Sequence, residues 1–332
     1  MIIDCHGHLV PAPLLDAIRA QRAAFPSVRL IEEADSPSGA GSLGFGFAGS
    51  KPTRPVPKML VDVAERIQWM NQQGIDRQVC GGWLDSFGYE IPVAEGANWS
   101  RLMNQHLLAA AKAEPRIVPL ACVPMQNGAA AAEVLREAVA AGFAGTMIGT
   151  QPKGVGGVLD DKDLDPFWQA ADELGAVVFI HPVFESGDDR VHDYGLANAV
   201  GRLTDTLIAV SRLLYSGHIL KYRNAKIVIS VGGAALPYAL GRLKRNHAIS
   251  KGLADPEAGL KALYYDTVVQ DVRVLRFMAE MVGRDRLMMG SDFPFPIGDL
   301  EPRKVVAEAG FSAREIEAID GGLAARLFRI GG

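Results

Sequence analysis

Two histidines separated by a single glycine stand near the start of the chain, in Ile3-Asp4-Cys5-His6-Gly7-His8. Alternate side chains of an extended segment point to one side, so both imidazoles face the same way. A third histidine, His181, follows the apolar run Val177-Val178-Phe179-Ile180, and a carboxylate, Asp292, follows Gly290-Ser291. Imidazoles and a carboxylate are the donors that a zinc-like divalent cation takes. Such an ion lowers the pKa of a bound water or polarises a substrate carbonyl. Singly, each residue is as well explained by a hydrogen-bonded place in a core. The case for a site rests on their convergence.

A ring of parallel strands would bring them together. Eight short apolar runs alternate with helical patterns: Met1–Cys5, Gln78–Gly81, Ile117–Val123, Gly145–Ile148, Ala176–Ile180, Lys226–Ser230, Ala262–Asp266 and Arg286–Gly290. Continuous apolar runs suit strands buried on both faces, as in a parallel sheet wrapped by helices. Among the helices, Asp165–Leu174 has Asp165 as its expected cap, Pro166 in the first turn and Gly175 as its stop; Val61–Gln73 runs up to Gly74. Eight β-then-α units predict an α/β fold of the (β/α)8 TIM-barrel type, one domain over residues 1–332. Active residues of such barrels come from the C-terminal strand ends, where His6, His8, His181 and Asp292 fall. An open doubly wound sheet would want a glycine-rich phosphate loop after the first strand, and His-Gly-His stands there instead. A Gly- and Pro-rich insertion at about 36–57 is too long for a simple connector and reads as a flap over the barrel mouth or a subunit-contact arm.

Composition narrows the function. The 332 residues are 48% hydrophobic and 22% charged, enough apolar surface for a large core. No run approaches the roughly 18–20 apolar residues of a membrane helix. A net charge of −4 and a pI near 6.0 give no basic footprint for nucleic acid. The start shows no export signal, so a cytoplasmic location is expected. Cys5, Cys80 and Cys122 sit in apolar runs and read as buried reduced thiols.

The motifs around the four donors, with Phe179-Ile180-His181-Pro182 and Gly290-Ser291-Asp292-Phe293-Pro294-Phe295-Pro296, resemble the amidohydrolase superfamily. Within it they are similar to the branch of 2-amino-3-carboxymuconate-6-semialdehyde decarboxylase and related aromatic-acid decarboxylases. Val123-Pro124-Met125-Gln126, Ile148-Gly149-Thr150, Gly232-Gly233-Ala234, Gly241-Arg242 and Tyr265-Asp266-Thr267 extend the similarity over nearly the whole chain. The resemblance implies that His6, His8, His181 and Asp292 hold one divalent ion, zinc in most relatives and manganese in some. Ile148-Gly149 stands where binuclear relatives need a bridging lysine, which argues for a single ion. By the same resemblance Arg242 reaches a substrate carboxylate in a neighbouring subunit, implying a homodimer or higher oligomer, and Arg66 binds a second carboxylate. Trp83 and Phe295 are expected to stack on a planar substrate. The implied activity is decarboxylation of a small carboxylated aromatic or muconate-type compound. Hydrolysis or hydration on the same ion is the alternative, and a non-catalytic barrel is a further one.

One position departs from the family. Its general-base histidine precedes the paired glycines, and here Ile229-Ser230-Val231-Gly232-Gly233 puts Val231 in that place. Valine neither accepts a proton nor hydrogen-bonds a hydroxide, and loss of a general base costs about 10²–10⁴-fold. An introduced substitution, altered natural chemistry and a binding protein without turnover would each account for it. Glu185, on the loop past His181, and Asp292 are the candidate replacements as proton carriers. Gly195, Ala197 and Asn198 stand where the decarboxylase has bulky aromatics, so a different substrate is expected.

Overall fold

A computed structural model describes residues 1–33, 42–48, 51–183 and 188–331. Its strands are β1 (Ile3–His8), β2 (Val28–Glu33), β3 (Ser42–Phe47), β4 (Arg77–Gly81), β5 (Ile117–Pro119), β6 (Gly145–Gly149), β7 (Val177–His181), β8 (Lys226–Ile229), β9 (Tyr264–Asp266) and β10 (Leu287–Met288). Val177 to Ile180 of β7 are wholly inaccessible, because parallel neighbours β6 and β8 flank them and helices cover the outside. β6 to β10 form one parallel run in chain order, and β1, β4 and β5 form a second. Two sets of backbone bonds join the runs into a ring. Cys5 N–H donates to Met289 C=O at 2.9 Å; Ala121 N–H donates to Gly145 C=O and Met147 N–H to Ala121 C=O, both at 3.0 Å. The eight parallel strands are those expected, and they close as a (β/α)8 barrel.

Local chemistry sets the helix ends. The helix Val63–Gln73 starts at Asp62, whose carboxylate accepts from Glu65 N–H, and stops at Gly74 with φ +63°. The helix Asp165–Leu174 stops at Gly175 as expected, but its cap differs. Asp165 is already helical, and Asp161 instead caps a short turn, Lys162–Leu164, that leads into it. Three acidic residues within five positions compete for that role, and spacing alone does not rank them.

The described part of the insertion, 42–48 and 51–57, is an ordered element. β2 and β3 pair antiparallel, Val28 opposite Phe47. Phe45 and Phe47 pack edge-on against Trp99 at 5.8 and 6.0 Å, and the Trp99 indole donates to Ser86 C=O at 2.7 Å. The chain then folds back along β3: Thr53 N–H donates to Phe45 C=O at 2.7 Å and Val56 N–H to Leu43 C=O at 2.9 Å. Arg54 lies between these two anchors. Positions 34–41 and 49–50 of the insertion fall outside the described residues.

Candidate metal centre

β1, β7 and the turn after β10 end at the same mouth of the barrel. His6, His8, His181 and Asp292 are all buried there, and one donor atom from each lies within 4.8 Å of all the others. Among the described residues this is the one group of such donors. His8 Nε2 is 3.1 Å from Asp292 Oδ1, His6 Nε2 is 3.4 Å from it and His181 Nε2 is 3.7 Å from it. Asp292 adopts a left-handed φ of +59°, which a short polar side chain tolerates, and its N–H donates to His6 C=O at 2.9 Å.

Each ring is held from behind by a group that only accepts. His6 Nδ1 faces Asp266 Oδ2 at 2.6 Å, His8 Nδ1 faces Gly82 C=O at 3.1 Å and His181 Nδ1 faces Pro182 C=O at 2.8 Å. The proton of each neutral ring therefore sits on Nδ1, and the Nε2 lone pairs point inward. His6 and His8 face each other through Nε2 at 3.3 Å, and buried His181 Nε2 has no hydrogen-bond partner. Unpaired buried acceptors are costly, and a divalent cation among them satisfies all four donors at once. The donor set fits one divalent ion.

The electrostatics agree. Burial pushes the His181 pKa down to about 3 and lowers that of His8. Burial opposes charge on His6 too, but Asp292, Asp266 and Asp4 outweigh it and raise its pKa. Burial works against the Asp292 charge, yet His6, His181 and His8 hold its carboxyl well below the usual range.

A cavity of about 700 Å³ opens beside the cluster, with Phe47, Arg54, Leu84, Tyr89, Gly149 and Val183 on its walls. Gly149 is the register partner of His181, and Val183 lies two residues beyond it. The Arg54 guanidinium lies 5.5 Å from the Trp83 ring and 5.6 Å from Phe295, and pairs with Asp85 at 3.3 Å. Phe295 in turn lies 5.3 Å from the His8 ring. Phe295 thus lies against a proposed ligand, whereas Trp83 is almost fully buried and meets the site through Arg54.

Other expected residues fall elsewhere. Arg66 is completely buried and donates to the His8 carbonyl from behind β1. No substrate carboxylate reaches it, which corrects the expectation drawn from its motif. Arg242 is exposed on the helix Leu236–Ile249. Glu185 lies outside the described residues. Val231 occupies the end of β8 with φ +54°, and its N–H and that of Gly232 donate to Asp266 at 3.0 and 2.7 Å.

Three residues gain a place that the motifs did not give them. Asp266, inside a recognised motif, joins His6 to the β8 turn. Arg54 sits in Pro52-Thr53-Arg54-Pro55, where a cation in a proline-stiffened segment was the available signal. Arg202 begins the helix Arg202–Ser216, and Asp205 one turn later pins that helix to Thr150 and Gln151 at the end of β6. Burial lowers the Arg202 pKa against the opposing pull of Asp85 and Asp292.

Fold and site together define a (β/α)8 barrel whose mouth gathers three histidines and an aspartate in an arrangement that fits a single divalent ion. The chain belongs to the amidohydrolase family, whose pattern, described as Amidohydrolase, matches residues 3–330. It is 29% identical over 249 residues to 2-amino-3-carboxymuconate-6-semialdehyde decarboxylase of Dictyostelium discoideum, covering 73% of this chain and 69% of that one. It is 22% identical to 2-keto-4-carboxy-3-hexenedioate hydratase of Sphingobium sp., covering 91% and 86%. Among solved structures, 5-carboxyvanillate decarboxylase of Novosphingobium aromaticivorans, complexed with manganese and 4-hydroxy-3-methoxy-5-nitrobenzoic acid, superposes with a TM-score of 0.81 at 21% identity, covering 99% and 96%. No helix among the described residues is long and apolar enough to cross a membrane.

Proposed function

We propose that this chain is a metal-dependent decarboxylase, a carbon–carbon lyase, of a small carboxylated aromatic or muconate-type compound. The observation that carries the proposal is the buried cluster of inward lone pairs beside a cavity whose wall presents Arg54 between two aromatic rings. The ion is zinc in this reading, with manganese the alternative; when bound it supplies Lewis-acid polarisation at a substrate oxygen. His6, His8, His181 and Asp292 hold it. The forked donors of Arg54 match the geometry of a substrate carboxylate. Phe295, with Trp83 on the far side of Arg54, bounds a planar ring.

Loss of CO2 leaves an electron pair on carbon that must take up a proton. Val231 carries none, so Asp292, held ionised by the three imidazoles, is assigned as the proton carrier: a carboxylate oxygen takes a proton from solvent and passes it to that carbon. Arg242 serves the cavity of a second copy, which makes the active form a homodimer or higher oligomer. The chain acts as one barrel domain in the cytoplasm, in the breakdown of aromatic compounds. Its three buried free thiols suit a reducing compartment.

Hydration on the same centre is the second reading, favoured by the 91% of the chain that aligns with the hydratase. A turnover screen of metal-loaded protein against carboxylated aromatics and muconates separates the two. CO2 release supports the lyase, and a hydrated product without CO2 replaces it with the hydratase. Full metal occupancy with neither product leaves a binding barrel.

A further inference from the structure

Behind β1 lies a polar chain, none of whose members lines the cavity or belongs to the donor group. Arg66, Gln78, Asp4 and Ser291 are all wholly inaccessible. Arg66 donates through Nη1 to Gln78 Oε1 and through Nη2 to the carbonyl oxygen of His8. Gln78 Nε2 donates to Asp4 Oδ2 at 2.7 Å. Asp4 Oδ1 accepts from His6 N–H and from Ser291 N–H, both at 3.0 Å, and the Ser291 hydroxyl donates to Asp4 Oδ2. Ser291 Oγ also accepts from Phe293 N–H at 3.0 Å. The chain thus grips the backbone at His6 and His8, and the residues on both sides of Asp292.

Its order is fixed by charge. A guanidinium at one end requires the amide oxygen of Gln78, and a carboxylate at the other requires the amide nitrogen. Turning the amide over would set N–H groups against the cation and oxygen against the anion. Gln78 therefore has one orientation and one length, and with them the spacing between β1 and β4 is set. The glycine of His-Gly-His belongs to the same device. A Cβ on Gly7 would sit 2.8 Å from Gln78 Cδ, so a side chain between the ligands would displace the amide from its path across the strand. The β1–β4 register shifts between Asp4 and Gly7, where the amide passes.

We infer that Arg66, Gln78 and Asp4 form a positioning relay that sets the spacing of the His6 and His8 imidazoles relative to Asp292. Buried charges are retained where they fix a geometry that apolar packing leaves loose, and outer hydrogen-bond partners of metal ligands tune affinity 10- to 100-fold. The inference rests on the metal-centre reading and is independent of the reaction catalysed.

The test is cobalt(II) binding to apo-protein, read as affinity by chelator competition and as the visible d–d spectrum. Gln78→Met keeps length and volume but breaks the relay. It is expected to weaken cobalt binding 10- to 100-fold and to change the d–d bands, with all four donors in place. Val79→Ala, on the opposite face of β4, is the control: it lowers the unfolding midpoint and leaves the spectrum unchanged. A folded Gln78→Met protein with wild-type affinity and spectrum overturns the inference. Should Gln78→Met not fold, Gly7→Ala, whose methyl displaces the amide, decides by the same two readouts. Wild-type protein that binds no cobalt sinks the metal-centre reading itself.

Discussion

Two strand ends at the mouth of the barrel share one carboxylate and differ in almost everything else. At β1, His6 is buried, backed by Asp266 at 2.6 Å, and aimed at three other donors. At β8, the same Asp266 accepts from two successive backbone N–H groups, but the side chain presented there is Val231. The first end is complete from the donor atoms to the groups behind them. The second has Val231, Gly232 and Gly233 all at positive φ, and Val231 offers no donor or titratable group. A β-branched residue in the left-handed region is a genuine outlier, so valine is strained in this turn. The donors at the first end fit an ion and the second end offers no titratable side chain, so holding an ion and moving a proton would be separate tasks in this barrel.

The sharpest test of that separation removes the equipped half. His181→Ala takes one of four donors and should abolish stoichiometric metal, which elemental analysis of protein purified without chelators reads directly. Activity should fall below detection with it. Retention of one ion per chain would break the assignment of His181.

The converse restores the unequipped half. Val231→His places an imidazole at the β8 end, able to exchange a proton near pH 7. Turnover should rise by about 10²–10⁴-fold, the usual scale for a general base, while metal content stays constant. A rate that falls instead would show the valine to belong to a divergent mechanism. Asp266→Asn acts on both ends at once, because the amide fixes neither the His6 tautomer nor both backbone donors. It should weaken metal binding by about 10- to 100-fold. Affinity equal to wild type would show that Asp266 serves the β8 turn alone.

How far these two ends were legible in the sequence follows from their physics. Buried parallel strands announce themselves as apolar runs, and ligands at strand ends follow them directly, so the eight strands and the four donors could be read from residue types and order. Asp266 was visible as part of a motif but not as the support of His6, since the two are 260 positions apart and nothing local marks the pairing. Arg66 was assigned to a substrate carboxylate because helix periodicity gives no sign that a guanidinium is wholly enclosed. Arg54 hid in a segment that read as a flap or a subunit-contact arm, because its order comes from pairing with β3 rather than from its own residues. The positive φ of Val231 has no signature in its residue type at all.

Acid should reveal the equipped end without any mutation. In apo-protein His181 is pushed down to about 3 from an ordinary value near 6.5, so between those limits the unfolded chain binds the proton and the folded one does not. Stability is then fully present above pH ~6.5 and declines as pH falls, by about 1.4 kcal/mol per pH unit for that one proton. His8, also lowered, adds in the same direction. His6 has the opposite sign, but its raised pKa makes its contribution change only above pH ~6.5, outside this window. Urea unfolding of apo-protein at pH 6.5, 5.5 and 5.0 measures the slope, and a flat profile contradicts the neutral, desolvated imidazoles.

The smallest effect belongs to the unequipped end. Left-handed backbone costs an L-residue roughly 1–2 kcal/mol, whereas asparagine is among the few residues that visit it readily. Val231→Asn should relieve most of that cost and lose a little apolar contact, since Val231 is only partly buried. The net gain should be about 1 kcal/mol, which for a chain of this size raises Tm by roughly 2 °C. Because the asparagine amide is no base, turnover should stay within a few-fold of wild type even as stability rises. That combination separates the two defects at position 231, the strained backbone and the missing proton acceptor: Val231→Asn repairs only the first, and Val231→His supplies the second. A Tm that falls in Val231→Asn would mean that the valine methyls contribute more through packing than the backbone loses through strain, and the turn would then be an adapted one.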